Sequence, residues 1–363
     1  MPYADGVRPW AVTLLVLAAL PVAGCGSGGQ AQRPADAPSP GVFPVSPVIA
    51  QREWRWSSVQ GLEIRTANWQ LRSSVGNSAL QEALPVFYEA ALRNYRTGLV
   101  PLPETERPLE TYVFGSRAEW SRFTEHRLGS DAGPYLKMGR GGFTSDGVAV
   151  LYDIGERDTL AIAAHEGWHQ YSQTMLRNPL PVWLEEGIAC YMEGFRRPKD
   201  SLQPAFLPWR NPERFAELRS SGRRGALVGL RELLEGSPQS FLQVSRDSQL
   251  SYYAQVWALV HFLRDGEGGR YRPGLERVLA DAVDGTMVAR IRASKALPDD
   301  RARRLAETSK AGLWPVLVYF DDDFRRFEDA FSSFRRQLVE SSAWDRVMRG
   351  ECPIDLSQQT PSP

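Results

Sequence analysis

The chain has 363 residues, and its 43 Lys and Arg balance its 43 Asp and Glu, so the formal net charge is zero. A neutral chain has no general attraction for polyanions, which argues against a nucleic-acid-binding protein. Hydrophobic residues make up 42% of the chain, including 11 Trp and 15 Phe, which is enough for one large domain or two lobes.

We predict that residues 1–24 are a lipoprotein signal peptide. Arg8 precedes an apolar run from Trp10 to Gly24 that is too short to cross a bilayer as a mature helix. The run ends in "VAGC", which resembles the lipobox of bacterial lipoproteins. The resemblance implies a lipid on Cys25 and an anchored position in the cell envelope, at the outer membrane or cell surface because Gly26 follows rather than Asp. The alternative is an ordinary signal peptide with an incidental cysteine.

Two segments have compositions that do not favour a folded core. Residues 25–50 are rich in Gly, Pro, Ala, Ser and Gln, so we predict a lipid-anchored flexible linker there, and a disordered tail over 349–363.

Two further cysteines follow in the chain, Cys190 and Cys352. Export permits a disulfide between them, although a buried free thiol at Cys190 is the simpler interpretation.

Residues 51–195 alternate between strand-like and helix-like patterns. The predicted elements are one or two strands in 54–66, a helix over 77–95, a strand over 109–116, a helix that opens on a capping box of Ser116 and Glu119, and a strand over 147–154. A longer helix follows, with Asp158 as its predicted N-cap and His165 near its middle. This order predicts an α+β fold whose N-terminal lobe is mixed α/β, with its sheet beside the His165 helix.

The patterns after residue 195 are mostly helical. The predicted helices cover 212–220, 227–234, 252–263, 273–282, 298–308 and 321–339. Several of them open on proline, which suits the first turn of a helix. We therefore predict a second, mainly helical lobe over residues 196–348.

The segment "AAHEGWHQYSQ" contains two of the four histidines in the chain. Four residues on a helix turn the chain by about 400°, so His165 and His169 project from one face and can share one tetrahedral metal ion. Glu166 is offset by one position and need not be a ligand. It is placed to take a proton from the water that such a metal activates, which is the role of the glutamate in H-E-x-x-H.

A zinc site on two histidines needs a third protein ligand. Glu186 is the candidate, because it lies in the next predicted helix, in "LPVWLEEGIACYMEGF". Glu185 is the alternative, and the two carboxylates cannot both face the metal because adjacent helical residues point about 100° apart. Cys190 lies one turn after Glu186, although a small thiol more often packs as a hydrophobic residue.

Three motifs together resemble the gluzincin metallopeptidases. They are "HEGWHQ" from His165, "WLEEGIA" from Trp183 and "YAQVWALVHFL" from Tyr253. The combination is most similar to an uncharacterised family of secreted or lipid-anchored bacterial proteins with a peptidase-like zincin domain, over roughly residues 109–331. The resemblance implies a zincin-like fold, Zn²⁺ on His165, His169 and Glu186, and Glu166 as general base. Metzincins fit less well, because their ligand pattern requires Gly and His where this chain has Ser172 and Met175.

Gluzincins often supply a Tyr or His donor for the oxyanion from a later helix. Tyr253 is the first candidate and His261 the second, although both could simply be core residues. Glu193 could orient a ligand histidine, or it could equally face the solvent. The strand predicted over 147–154 could be the edge at which an extended peptide docks, or an ordinary strand of the sheet.

The sequence therefore predicts a lipid-anchored, zinc-dependent hydrolase that cleaves a peptide or protein substrate, with Glu166 as the general base. The alternative is a catalytically inactive zincin-fold module that binds peptide or a cell-envelope polymer through the same scaffold. Retention of Glu166 favours the enzyme, because a binding module has no chemical need for a base at that position.

Overall fold

The structure is a computed structural model that describes residues 46–137, 141–198, 201–296 and 312–356. The predicted signal peptide, the lipidation site at Cys25, most of the predicted linker and the helix predicted over 298–308 lie outside the described residues. Within the described ranges, no helix combines the length and the apolar character that crossing a bilayer requires.

A six-stranded mixed sheet with the strand order β1-β2-β3-β4-β6-β5 forms the centre of the N-terminal half. Its strands are β1 Ala50–Trp56, β2 Val59–Arg65, β3 Trp69–Ser73, β4 Leu109–Phe114, β5 Gly142–Ser145 and β6 Val148–Tyr152. The first three strands run antiparallel, β4 is parallel to both β3 and β6, and β5 is antiparallel to β6. The predicted α+β class is confirmed.

The strand predicted over 147–154 is β6, and it is not an edge of the sheet. It pairs with β4 on one side and with β5 on the other, so the edge strand is the four-residue β5. Sequence analysis missed β5 because the segment is short and rich in glycine. Gly142 is closely packed there, since an added Cβ would lie 3.0 Å from Leu151 Cβ and 3.1 Å from Ile162 Cγ2. Strand β3 was missed as well.

Helices cover both faces of the sheet. They are α1 Ser78–Thr97, α2 Arg117–Leu128, the short α3 Gly133–Leu136 and α4 Glu156–Met175. The next helix, α5 Val182–Met192, packs on α4. Leu151 and Val113 point into the core with α1 and α4, whereas Val150 and Phe114 point into a smaller cluster under α2. The alternation of these strand residues therefore places α4 flat against one face of the sheet.

The helix starts agree only partly with the sequence-based expectations. Ser116 caps α2 by accepting a hydrogen bond from Glu119 N, but the Glu119 carboxylate accepts from Gly115 N instead of Ser116 N. The prediction that Asp158 caps the metal helix was wrong. α4 begins at Glu156 after Gly155, whose φ of 102° suits glycine, and Asp158 lies in the first turn.

The C-terminal half is mainly helical, as predicted. Its helices are α6 Pro212–Arg223, α7 Leu230–Glu235, α8 Pro238–Val244, α9 Arg246–Asp265, α10 Arg272–Asp284, α11 Met287–Ala293, α12 Trp314–Tyr319, α13 Phe324–Glu340 and α14 Trp344–Arg349. A two-stranded ribbon, β7 Phe195–Arg196 with β8 Ala205–Phe206, precedes them. The predicted helices within the described ranges are present with shifted bounds, and the additional helices are short.

The two predicted lobes, 51–195 and 196–348, share one continuous hydrophobic core. Helix α9 lies at its centre, buried along most of its length and packed against α5, α6 and α8. The core continues past α14: Ile354 is buried, and Ser341 Oγ donates to Pro353 O at 2.7 Å. The tail predicted from residue 349 is therefore packed at least to this point, and residues 357–363 lie outside the described residues.

The contact between α5 and α9 depends on Gly187. A Cβ on this residue would lie 2.7 Å from both Val256 O and Val260 Cγ2. We expect Gly187→Ala to lower the free energy of unfolding by about 1–3 kcal/mol, because overpacking forces the two helices apart. Chemical denaturation measures this difference. Gly133→Ala is the matched control, since its Cβ would have nothing within 4 Å; an equal loss in both variants would contradict the proposed helix contact.

Candidate metal centre

Helix α4 brings the two predicted histidines together inside the protein. His165 and His169 are 0% and 1% exposed, and their ring centroids lie 4.9 Å apart. Gln170 fixes the helix on the sheet, because its amide donates to Glu110 O at 2.6 Å and accepts from Thr111 Oγ1 at 2.9 Å. The imidazoles thus project from one face of a helix that is fastened to β4.

Gly167 allows the neighbouring helix α1 to approach this segment closely. The Tyr95 hydroxyl donates to Ala164 O at 2.7 Å, and a Cβ on Gly167 would lie 2.4 Å from that hydroxyl. The poor helix former inside the motif therefore has a packing reason.

Helix α5 presents Glu186 to the histidine pair. Glu186 Oε2 lies 3.5 Å from His165 Nε2 and 3.7 Å from His169 Nε2, and the carboxylate is 2% exposed. Two ligands at about 2.0–2.1 Å from a tetrahedral ion are roughly 3.4 Å apart, so these separations are close to those of a shared cation. The three predicted ligands are thus brought together.

The atoms that face one another have no other partner among the described residues. His165 Nε2, His169 Nε2 and Glu186 Oε2 are all buried and without a hydrogen bond. Leaving a buried polar atom unpaired costs about 1–3 kcal/mol, and more for a charged group. Three such atoms converging within 4.8 Å form a donor set that a cation completes, so the residues fit a bound metal ion.

Each histidine is oriented by a second carboxylate. His165 Nδ1 lies 2.9 Å from Glu193 Oε1, and His169 Nδ1 lies 2.8 Å from Glu185 Oε1. A carboxylate accepts hydrogen bonds, so each neutral histidine carries its proton on Nδ1 and directs the lone pair of Nε2 toward Glu186. This is the arrangement in which an imidazole binds a metal most effectively.

The alternative third ligand, Glu185, has a different place. Its Oε1 accepts from His169 Nδ1 and also from the Ser172 hydroxyl, away from the facing Nε2 atoms. The expected angle between adjacent helical residues turns Glu186 inward and Glu185 toward the back of His169. Glu193 takes the orienting place that the sequence suggested for it.

Glu166 lies beside the group without joining it. Its Oε2 accepts from Thr144 Oγ1 at 2.8 Å, whereas its Oε1 is buried and has no hydrogen-bond partner among the described residues. Burial raises the pKa of Glu166 above its ordinary value, although the nearby histidines lower it. One oxygen is therefore held by the edge strand β5, and the other is buried without a hydrogen bond from the described residues.

The two predicted donors from helix α9 have different surroundings. Tyr253 packs against His165, with ring centroids 6.1 Å apart, and burial raises its pKa well above the ordinary value. His261 is enclosed by aromatic rings, stacked on Trp209 at 3.6 Å, and burial lowers its pKa to about 3. Tyr253 is therefore brought to the group, whereas the contacts of His261 are those of a neutral core residue.

A second group of possible ligands, His165, Cys190 and Glu193, is not a comparable site. Burial raises the pKa of the Cys190 thiol to about 11, which disfavours the thiolate form that a metal binds. Both oxygens of Glu193 accept hydrogen bonds from Arg214, whose charge would repel a cation there. Cys190 and Cys352 are both free, so the disulfide that export would permit is not formed.

No protein-family model and no curated protein matches this chain. The site thus stands on its own geometry. Sequence analysis missed Thr144, Asn211 and Arg214, which contact Glu166 or Glu193. The only signal for Asn211 and Arg214 was "NPER" at the start of a predicted helix, which identifies an N-cap but no long-range partner.

Proposed function

We propose that this protein is a zinc-dependent hydrolase of peptide bonds with a gluzincin-like centre on His165, His169 and Glu186. One observation supports it above the others: the two Nε2 atoms and Glu186 Oε2 are buried, unpaired and aimed at one point, with the free Oε1 of Glu166 beside them. The lipobox-like sequence supports a lipid anchor at Cys25 and a position in the cell envelope.

A zinc ion bound there supplies a Lewis acid, which lowers the pKa of water and polarises a substrate carbonyl. Glu166 accepts a proton from the attacking water on its free oxygen and later returns it to the leaving amine. Thr144 keeps the other oxygen of Glu166 in place. Glu185 and Glu193 hold the histidines in the tautomer that leaves Nε2 unprotonated.

A second candidate function is a non-catalytic, metal-stabilised module that binds peptide or a cell-envelope polymer. The observation that favours it is the burial of the group: Glu166 and the three candidate ligands are each at most 2% exposed. A structural metal site is closed in this way, whereas a catalytic site keeps a position open to substrate.

Incubation with a mixed peptide library distinguishes the two functions. We expect the purified protein to cleave peptides, and a chelator to reduce the rate more than about a hundredfold, because a Lewis acid contributes several kcal/mol to the barrier. Added Zn²⁺ should restore the rate. Mass spectrometry of the peptides measures cleavage, and metal analysis of the same sample is the control. One bound metal ion with no cleavage would favour the binding module.

A further inference from the structure

Glu193, the carboxylate next to His165 Nδ1, is part of a buried ion pair. Arg214, near the start of α6, donates from Nε to Glu193 Oε2 at 3.0 Å and from Nη2 to Glu193 Oε1 at 2.7 Å. Asn211 Nδ2 adds a third donor to Glu193 Oε2 at 2.7 Å. Both side chains of the ion pair are 3% exposed, so water does not screen the pair.

The same carboxylate oxygen links Arg214 to the candidate ligand. Glu193 Oε1 accepts from Arg214 Nη2 and is the partner of His165 Nδ1 at 2.9 Å. A planar guanidinium that donates two hydrogen bonds fixes the rotation of the carboxylate, which a single hydrogen bond would leave free. The direction of His165 Nε2 therefore depends on Arg214, although these hydrogen bonds join Arg214 to Glu193 and not to His165.

Arg214 also contacts a second neighbour of His165, the ring of Tyr253. Its guanidinium carbon lies 5.0 Å from the centre of the Tyr253 ring, within the range of a cation–π interaction, and that ring packs against His165. One arginine thus contacts both a carboxylate and an aromatic ring that contact His165.

The carboxylates next to the Nδ1 atoms of the two histidines differ in how their negative charge is compensated. The Glu193 carboxylate has the full positive charge of Arg214 beside it. Among the described residues, Glu185 forms its ion pair with His169 alone, and its side chain is 17% exposed, so solvent provides the compensation.

We infer that Arg214 is a positioning residue of the metal centre, acting on His165 through Glu193 and steadied by Asn211. This inference rests on the proposed zinc site and adds a residue that the ligand motif does not contain. It also means that α6, from the helical half of the chain, completes a centre whose ligands all come from α4 and α5.

Metal affinity and a cobalt spectrum test the inference on the full chain. Zn²⁺ affinity is measured by competition with a chelator, and Co²⁺ reports ligand geometry through its visible absorption. We expect Arg214→Met to weaken Zn²⁺ binding about 10–100-fold, which is the usual effect of losing a residue that orients a metal ligand. The Co²⁺ spectrum should change as well. Arg214→Lys should recover part of the affinity, because it returns the charge without the paired donors.

Arg326→Met is the matched control. Arg326 also pairs with a buried carboxylate, that of Asp321, but it has no contact with the candidate ligands. It should lower stability and leave Zn²⁺ affinity and the Co²⁺ spectrum unchanged. If the unmodified protein binds neither ion, the proposed zinc site itself is wrong. If it binds them and Arg214→Met behaves like Arg326→Met, only the role of Arg214 is wrong.

A milder variant covers the case in which Arg214→Met does not fold. Asn211→Ser keeps an oxygen to cap Arg214 N and removes the amide that donates to Glu193 Oε2. We expect a several-fold weaker Zn²⁺ affinity and an altered Co²⁺ spectrum. Unchanged values in this variant would count against the chain of contacts from α6 to His165.

Discussion

Replacing Glu166 with glutamine is expected to slow peptide hydrolysis by about a hundredfold to ten-thousandfold while the bound metal stays in place. Glutamine has the shape of glutamate and can keep the hydrogen bond with Thr144 Oγ1. An amide does not accept a proton at neutral pH, however, so the group beside the candidate ligands no longer acts as a base. Glu166 is not one of the three facing donors, and its neutralisation therefore leaves the donor set complete.

The measurement combines peptide cleavage rates with metal analysis of the same samples. Glu89→Gln is the control, because it makes the same chemical change in a carboxylate that is hydrogen-bonded to Thr66 and Asn68 instead. That variant should retain the rate of the unmodified protein. A Glu166→Gln protein with the full rate would show that this residue is not the base, and loss of metal would show that it is a ligand.

Helix geometry predicts the relative directions of the candidate ligand side chains. A spacing of four residues puts His165 and His169 on one face, and the angle between neighbours separates Glu186 from Glu185. Both conclusions require only that each segment be helical, and α4 and α5 are helical over these residues. Which of the two glutamates faces inward is a question about packing, and the resemblance supplied that answer before the structure did.

The contacts around the ligands could not be predicted, because they join residues far apart in the chain. Thr144 reaches Glu166 from the edge strand β5, and Arg214 reaches Glu193 from α6. No periodic pattern indicates that a given arginine pairs with a given glutamate. The order of the strands could not be predicted for the same reason. The sequence of 147–154 predicts a strand, but its place inside the sheet depends on pairing with β5. Strand β5 is too short to show an alternating hydrophobic pattern.

Glu185 illustrates how one residue type can serve two purposes at neighbouring positions. Both glutamates of "WLEEGIA" are carboxylates beside a histidine. Glu186 faces the Nε2 atoms and has an unpaired oxygen, whereas Glu185 accepts from the Nδ1 of His169 and from Ser172. The two residues are thus expected to respond differently to the same substitution.

Glu186→Gln is expected to weaken Zn²⁺ binding by about a hundredfold to several-thousandfold. The change removes the one charged donor of the facing set, and losing one partner of a buried charge pair costs about 3–5 kcal/mol. An amide oxygen is also a poor zinc ligand compared with a carboxylate. Competition with a chelator at fixed pH measures the affinity, and circular dichroism checks that the fold is retained.

Glu185→Gln provides the comparison at the adjacent position. Its side-chain oxygen can still accept from His169 Nδ1, so the tautomer survives and the affinity should fall by about tenfold or less. The difference in Zn²⁺ affinity between the two variants tests whether Glu186 is the third ligand, since both variants remove one negative charge within the same turn of α5. If Glu185→Gln weakened Zn²⁺ binding more than Glu186→Gln, Glu185 would be the third ligand, and α5 would have to rotate to bring it to the histidines.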